Sequence, residues 1–156
     1  MKWVEKTFAR LSNVELYQII KLRIDVFVVE QNCIYADLDD KDCHSETRHL
    51  MLLDTNNQLI GYCRILPQGL SYPHVSIGRV VIAPQARKKG LATQLLQRAL
   101  VSIQKLWPQQ DIQLGAQEYL VDFYQDFGFR TVSKMYLEDG IPHRDMLLSY
   151  KNKSDY

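Results

Sequence analysis

Three consecutive basic residues before a glycine form the stretch of this chain best suited to bind an anion. The segment 85–92 reads QARKKGLA, and its three cations are Arg87, Lys88 and Lys89. At Gly90 the sequence changes to a helical pattern, and the first backbone N–H groups of a helix have no partner within the helix. Together with the positive end of the helix dipole they favour phosphate, while Gly90 and Ala92 are small enough for close approach to the backbone. We therefore predict that this loop cradles a pyrophosphate group.

Two common phosphate-binding loops are absent from the sequence. The chain contains no GxxxxGK[ST] motif and no GxGxxG motif after a strand, so nucleotide hydrolysis and dinucleotide binding lose support. The alternative interpretation of the basic loop is a solvated surface segment that binds nothing. A second motif elsewhere in the chain is needed to choose between them.

An acidic segment contains the other conspicuous group of charges. Its five carboxylates are Asp37, Asp39, Asp40, Asp42 and Glu46. An EF-hand-like calcium loop requires a turn glycine and a terminal glutamate at fixed spacing, and DLDDKDCHSE has neither the glycine nor the spacing. We expect a solvated loop, or a wall that attracts a cationic amine, and no metal site.

The basic loop is predicted to lie between a strand and a helix. The run Val75–Ile82 is rich in β-branched residues and is ended by Ala83 and Pro84, which is typical of a buried strand. From Gly90 to Trp107, apolar residues recur at three- and four-residue spacing, which predicts an amphipathic helix.

Local signals define the earlier elements. Residues 3–8 alternate enough to form a first strand at a sheet edge. Ser12 and Glu15 match a capping box, which predicts a helix that continues as far as Phe27. The apolar runs 48–53 and 59–66, joined by a turn-rich connector, predict a hairpin.

The remaining elements complete the fold prediction. Residues 111–117 form a short strand, and residues 119–127 form a short helix that ends before Gly128, a glycine with positive φ. Two last strands, 130–137 and 145–151, flank an EDGIPH loop, and the polar tail 151–156 is expected to fray. This order predicts an α+β fold with a mixed, mostly antiparallel sheet of about seven strands flanked by helices.

Composition limits the partners. The 156 residues, 46% hydrophobic and 24% charged, suit one domain with a sizeable core. A formal net charge of +1 gives no global field to hold nucleic acid or an anionic membrane, so we expect a small partner. We find no signal peptide or membrane span, and three cysteines without CxxC spacing are typical of reduced thiols. We expect a cytoplasmic monomer or homodimer.

Several motifs, in order along the chain, resemble the GNAT superfamily of acyltransferases. The basic loop matches its coenzyme A signature, (Q/R)xxGx(G/A), at Arg87, Gly90 and Ala92. The segment FYQDFGF, residues 123–129, resembles the FYxxxGF element that follows the fifth strand in that superfamily. RIDVFVVEQ, residues 23–31, and EDGIPH, residues 138–143, are similar to its ElaA-like branch. The resemblance extends over nearly the whole chain.

The resemblance implies a single acyl-CoA N-acyltransferase domain with acetyl-CoA as co-substrate and no metal. In that superfamily the fourth and fifth strands splay apart and pantetheine inserts between them, which here implicates Val80, Val81 and Ile82. The pyrophosphate would be held by Arg87, Lys88, Lys89, Gly90, Leu91, Ala92 and Thr93. Gln117 and Phe123 are further expected contacts of the coenzyme.

Acyl transfer from a thioester to an amine needs a neutral amine, donors for the developing oxyanion and a proton for the departing thiolate. A strand amide near Val80 could serve the oxyanion. The resemblance turns Tyr124 toward the sulfur, and a phenol with a pKa of ~10 stays protonated at neutral pH, so we predict that Tyr124 is the general acid. An ordinary core aromatic is the alternative for Tyr124. The base is left open among a water chain and four side chains: Glu30, His49, Glu118 and His143.

These residues predict direct transfer of an acetyl group from acetyl-CoA to a primary amine of a small molecule or a protein. The alternative is a module that binds acyl-CoA as a sensor or scaffold without catalysis. A hydrolase that uses Cys33 or Cys43 is disfavoured, because the side chains of Cys43 and His44 point apart in an extended segment.

Overall fold

One open sheet forms the centre of the computed structural model, which describes residues 1–153 and the side chains as far as residue 151. Within this range the strands are β1 (Lys2–Lys6), β2 (Arg48–Leu53), β3 (Leu59–Leu66), β4 (Val75–Ile82), β5 (Ile112–Gln117), β6 (Arg130–Thr131), β7 (Tyr136–Glu138) and β8 (Ile141–Leu148). The helices are α1 (Asn13–Arg23), α2 (Leu91–Leu106), α3 (Val121–Gln125) and α4 (Tyr150–Lys153). The strand order is β1-β2-β3-β4-β5-β8-β6, and β7 also pairs with β8. All pairs are antiparallel except β4 with β5, which confirms the α+β fold with a mixed, mostly antiparallel sheet.

Helices cover both faces of the sheet. The apolar side of α2 packs on one face, with Leu95 and Ile103 fully buried. On the other face α1 contributes Ile19 to a second cluster. Tyr62 and Cys63, successive residues of β3, belong to these two different clusters, because successive side chains of a strand point to opposite faces.

Four predictions about single elements are confirmed. The Ser12 hydroxyl accepts the Glu15 N–H at 3.0 Å, and the Glu15 carboxylate accepts the Ser12 N–H at 2.8 Å, so α1 begins with the predicted capping box. The hairpin β2–β3 has the predicted bounds, and β1 is an edge strand. Gly128 has a φ of 96°, and the N–H of Phe129 donates back to the carbonyl of Tyr124, which ends α3 as a Schellman motif.

The first helix and the first strand differ from the prediction. The α-helical part of the first helix ends at Arg23, and the chain continues as a π-helical segment, Ile24–Glu30. Segments of this kind are rare and occur frequently at functional sites, since they redirect the chain locally. The first strand ends at Lys6 rather than at residue 8, where a 3₁₀ turn, Phe8–Arg10, begins.

The C-terminal strands also differ. The predicted strand 130–137 is split into β6 and β7, because the Ser133 hydroxyl accepts the Asp145 N–H at 2.9 Å in place of a backbone carbonyl. The last strand begins at Ile141 rather than at residue 145. Asp139 and Gly140 both have positive φ and form a two-residue hairpin turn, so the EDGIPH segment is mostly strand and the sheet has eight strands rather than seven. Of the tail predicted to fray, residues 151–153 are helical and 154–156 lie outside the described residues.

Candidate active site

A gap in the sheet lies between β4 and β5. The two strands pair only at their first residues, Val75 with Ile112 and Ser76 with Gln113, and then diverge. This confirms the predicted splay between the fourth and fifth strands. The backbone groups of β4 beyond Ser76 therefore have no strand partner on the β5 side.

A cleft of about 820 Å³ occupies this gap. Its walls are formed by β4, the start of α2, α3, the π-helical segment and the β7–β8 hairpin. The predicted site residues that line it are Glu30, Val80, Val81, Ile82, Arg87, Ala92, Gln117, Phe123, Tyr124 and His143. The fold thus brings together residues that are more than one hundred positions apart in the sequence.

The basic loop leads directly into α2. Gly90 is the N-cap residue with a φ of 73°, and having no side chain it leaves the first-turn amides of the helix uncapped, unlike those of α1. The first turn carries no acidic residue. A Cβ added at Gly90 would meet no atom within 4 Å, so the space above the helix start is open.

Not every residue of the loop faces the cleft. The side chain of Leu91 is buried in the core, so only its backbone can face a ligand. Lys88, Lys89 and Thr93 are exposed and lie outside the cleft lining. The charges of the two lysines and the backbone amides of all three residues lie beside the start of α2, on its solvent side.

The end of the π-helical segment contacts both sides of the gap. Glu30 forms an ion pair with Arg87 at 2.8 Å, and Arg87 Nε donates to the Ile82 carbonyl at 3.2 Å. The next residue, Gln31, accepts a hydrogen bond from the Gln117 amide at 3.2 Å. Glu30, a candidate base, therefore contacts the basic loop in this structure.

Tyr124 is buried against Phe123 and Phe129, with edge-on ring contacts to both. Its hydroxyl forms no hydrogen bond to any side chain or backbone group of residues 1–151. Burial raises the pKa of the Tyr124 hydroxyl above its ordinary value, so the phenol stays protonated in the neutral pH range.

A bulge interrupts β4 at the level of the gap. Tyr62 pairs with Val81 and Arg64 with Gly78, so Cys63 alone faces Arg79 and Val80. Arg79 has a φ of 53°, a left-handed conformation that is unusual for a residue with a side chain. The sequence analysis did not identify this residue.

Arg79 belongs to a buried ion cluster with Arg23, Arg64, Asp37, Asp39 and Asp42. Arg23 donates to Asp37 at 2.8 Å and to Asp42 at 2.6 Å, and Arg64 donates to both Asp39 oxygens at 2.7 and 2.9 Å. Arg79 Nε lies 2.9 Å from Asp37, without an aligned hydrogen bond, and its Nη2 donates to the Asp37 carbonyl at 3.0 Å. The expectation of a solvated acidic loop is therefore wrong for these three carboxylates. Because each is neutralised by arginine, they also give little attraction for a cationic amine.

Acid is expected to weaken this cluster. Burial alone would raise the pKa of Asp39, but Arg64 and Arg79 outweigh it and hold the pKa at about 2. An aspartate in the unfolded chain titrates near ~3.9, so the contribution of Asp39 is present above about pH 4 and is lost as the pH falls toward ~2. The free energy of unfolding, measured by urea titration, should fall in both proteins as the pH is lowered through this window. We expect the fall to be about 1 kcal/mol smaller in Asp39→Asn than in wild type. An equal fall in the two proteins would contradict this role of Asp39.

Two candidate bases lie away from the cleft. His49 is fully buried between the Tyr62 hydroxyl, at 2.8 Å, and the Asp42 carbonyl, at 3.0 Å. Both of its ring nitrogens are thus occupied, and the structure does not bring it to the cleft. Glu118 accepts a hydrogen bond from Arg144 at 2.7 Å on the surface.

A group of polar side chains from the loop before β4, from β7 and from β8 lies beside the cleft, and Tyr72, His143 and the nearby Gly115 of β5 line the cleft itself. The Asp145 carboxylate accepts the Tyr136 hydroxyl at 2.7 Å and the Tyr72 hydroxyl at 3.5 Å. Gly115 leaves room for them, since a Cβ there would lie 3.2 Å from both phenol oxygens. His143 stacks on Tyr136 with ring centroids 6.1 Å apart. We call Tyr72, Gly115, Tyr136, His143 and Asp145 the polar floor.

Sequence reasoning found only His143 of the polar floor. The signal that could have identified Asp145 is its spacing from His143, because residues two positions apart in a strand lie on one face. It was missed because the segment before Asp145 was predicted to be a loop. Tyr72 comes from the loop before β4, and nothing local indicates its contact with Asp145.

In residues 1–151, no three side chains among histidine, cysteine, aspartate and glutamate are grouped so as to hold a metal ion. No helix within the described range has the length and hydropathy needed to cross a membrane. Cys33, Cys43 and Cys63 are free thiols.

A splayed sheet, a β4 bulge and an uncapped helix start beside the gap define an acyltransferase of the GNAT type. Residues 23–150 match the family model described as the acetyltransferase (GNAT) domain, and the chain belongs to this family. The protein is thus an acyltransferase.

The chain is similar to several known proteins along most of its length. It is 40% identical to protein ElaA of Escherichia coli K12 over 146 residues, 94% of this chain and 95% of ElaA. The crystal structure of E. coli ElaA superposes with a TM-score of 0.89 over 96% of this chain and all of that chain, at 38% identity. The crystal structure of an acyl-CoA N-acyltransferase from Pseudomonas aeruginosa superposes with a TM-score of 0.90 over 96% of this chain and all of that chain, at 41% identity. An aminoglycoside 6′-N-acetyltransferase crystallised with coenzyme A shares the fold, with a TM-score of 0.69 over 94% of this chain and 97% of that chain, at 17% identity.

Proposed function

We propose that this chain forms one acetyl-CoA-dependent N-acetyltransferase domain that transfers an acetyl group directly to a primary amine. The observation that carries the proposal is the gap beyond Ser76 and Gln113, because it joins the uncapped start of α2 to Tyr124 within one cleft. The match to the acetyltransferase (GNAT) domain and the coenzyme A bound to the aminoglycoside 6′-N-acetyltransferase of the same fold support it.

The donor side follows from the geometry of β4 and α2. Unpaired backbone groups of Val80, Val81 and Ile82 are suited to hydrogen-bond the amides of pantetheine. The first-turn amides of α2 are suited to the pyrophosphate, with Arg87, Lys88 and Lys89 supplying positive charge. Arg87 would exchange or share its contact with Glu30 when a phosphate is present. Ala92, Gln117 and Phe123 line the space between these two regions.

The chemistry needs a proton donor at the sulfur and a donor for the carbonyl oxygen. Tyr124 supplies the proton in this proposal, because it lines the cleft, its hydroxyl has no competing hydrogen bond in the described chain, and burial keeps it protonated. The bulge at Arg79 separates Val80 from the β3 ladder, which supports the Val80 amide as the oxyanion donor.

The three free thiols are also consistent with a cytoplasmic location.

Calorimetric titration with coenzyme A and acetyl-CoA, with ATP and NAD as controls, tests the donor side. We expect saturable binding of both coenzymes and none of NAD, because the splayed gap suits a pantetheine arm. A thiol-release assay with a set of primary amines then tests transfer. Absence of coenzyme binding would contradict the whole proposal, whereas binding without transfer to any amine would favour a non-catalytic acyl-CoA sensor.

A further inference from the structure

His143 is the candidate base that the fold places in the cleft with one ring nitrogen that faces only a carboxylate. It lies on β8, where Gln117 of β5 and Tyr136 of β7 are its neighbours on either side. The residue is 8% exposed and lines the same cleft as Tyr124. Its imidazole is thus shielded from bulk solvent but open to a ligand in the cleft.

The hydrogen bonds of His143 fix which ring nitrogen can accept a proton. Nδ1 lies 2.7 Å from the Ile141 carbonyl oxygen. A carbonyl can only accept, so Nδ1 carries the hydrogen and, in the neutral ring, Nε2 has the lone pair. Nε2 lies 3.4 Å from a Glu138 carboxylate oxygen, which would stabilise an imidazolium once it forms.

The polar floor holds this ring in place. Tyr136 stacks on the imidazole at an interplanar angle of 25°, and Asp145 accepts the Tyr136 hydroxyl at 2.7 Å. Burial, assisted by Asp145, raises the pKa of Tyr72 to about 12, and the pKa of Tyr136 is raised for the same reasons. Both phenols therefore stay protonated as donors to Asp145. The ionisable groups that face His143 are Glu138 and Tyr136 from β7 and, through Tyr136, Asp145 from its own strand.

The other candidates have no comparable group. Glu30 is paired with Arg87, both nitrogens of His49 are hydrogen-bonded in the core, and Glu118 is paired with Arg144 outside the cleft. His143 is thus the one of the four that lines the cleft with a ring nitrogen whose neighbour, the Glu138 carboxylate, cannot donate a hydrogen bond to its lone pair.

We propose that His143 Nε2 is the base that deprotonates the acceptor, an alkylamine that arrives as an ammonium ion beside Glu138. This inference rests on the proposed acetyltransferase function and adds its acceptor side. The ammonium gives one proton to Nε2, and the neutral amine forms the C–N bond to the acyl carbon. As the C–S bond breaks, Tyr124 protonates the sulfur, and the second proton lost by nitrogen restores Tyr124. One proton leaves through His143 in each turnover.

A comparison of two amines distinguishes a base from a structural histidine. The acceptors are the best alkylamine among n-butylamine, tyramine and spermidine, and methoxyamine, which is already neutral at neutral pH. The variant is His143→Asn, whose side-chain amide can still donate to the Ile141 carbonyl but has no basic nitrogen. His74→Asn is the matched control, since it makes the same change at a histidine outside the cleft lining.

With saturating acetyl-CoA, kcat/KM of His143→Asn for the alkylamine is expected to fall on the order of 10²-fold. The deficit should narrow as the pH rises, because more of the amine is then neutral without a base. Methoxyamine transfer by His143→Asn and its Kd for acetyl-CoA should change little, and His74→Asn should match wild type with both amines. Equal losses with both amines, or none with the alkylamine, would overturn the role of His143 while leaving the acetyltransferase function intact. Wild-type protein that binds acetyl-CoA and acetylates none of these amines would instead overturn the function itself.

Discussion

Replacing Tyr124 by phenylalanine is expected to lower turnover on the order of 10²-fold while acetyl-CoA binding stays nearly intact. The variant removes only a hydroxyl that forms no hydrogen bond within residues 1–151, and it keeps the ring contacts with Phe123 and Phe129. No buried partner is left unsatisfied, so the stability of the fold should be close to that of wild type. What is lost is the proton for the departing thiolate.

The measurement is kcat at saturating acetyl-CoA and amine, with the Kd for acetyl-CoA from calorimetry. Tyr17→Phe is the matched control, because Tyr17 is 69% exposed on α1 and lies outside the cleft lining. We expect that control to behave as wild type. Unchanged turnover in Tyr124→Phe at saturating substrates would remove Tyr124 from the mechanism, and a loss of acetyl-CoA binding would make it a binding residue instead.

Gly90→Asp is expected to weaken coenzyme binding by at least ~10²-fold, because like charges placed together at a binding site cost several kcal/mol. The new carboxylate would lie at the N-cap position, where it can itself accept the first-turn amides of α2 and so occupy the place of a phosphate. The fold should persist, since a Cβ at Gly90 meets no atom within 4 Å. The strain of a side chain at a φ of 73° costs about 1 kcal/mol.

Gly69→Asp separates the strain from the charge. Gly69 has a φ of 86° and equally open space around a Cβ, but it lies in the loop before β4 and outside the cleft lining. Gly69→Asp should lose thermal stability through the strain alone, Gly90→Asp should lose less because its carboxylate also caps α2, and only Gly90→Asp should lose affinity for coenzyme A by calorimetry. The affinity of Gly90→Ala for coenzyme A should lie between the affinities of these two variants, because alanine adds the Cβ without the charge. Wild-type affinity in Gly90→Asp would defeat the assignment of the basic loop.

The locally encoded parts of the structure were predictable from the sequence. The capping box at Ser12, the glycine end of α3 at Gly128 and the hairpin β2–β3 each depend on residues within a few positions of one another. Asp139-Gly140 is a local signal that was misinterpreted, because this aspartate–glycine pair forms a two-residue turn rather than part of a longer loop.

The ion cluster shows what local patterns leave undecided. Asp37 and Asp42 look like solvated residues in a polar loop, but Arg23 lies 14 positions before the first and Arg64 lies 22 positions after the second. Whether such a carboxylate is buried depends on where the fold brings the opposite charge, and burial of an unpaired charge would be costly. Similarly, His49 and His143 are both strand histidines, and only their neighbours in the sheet separate a sealed core residue from one in the cleft.

By itself, then, the sequence determined the basic loop, the helix start behind it and the succession of strands along the chain, because hydrogen bonding and periodicity over short stretches specify them. The tertiary structure decided which of the predicted residues share a cleft and which polar side chains neutralise one another. It decided the positions of Arg79 in the bulge and of Tyr72 and Tyr136 on Asp145. The physical reason is that burial and electrostatic pairing act between groups close in space, and here those groups come from segments far apart in the chain.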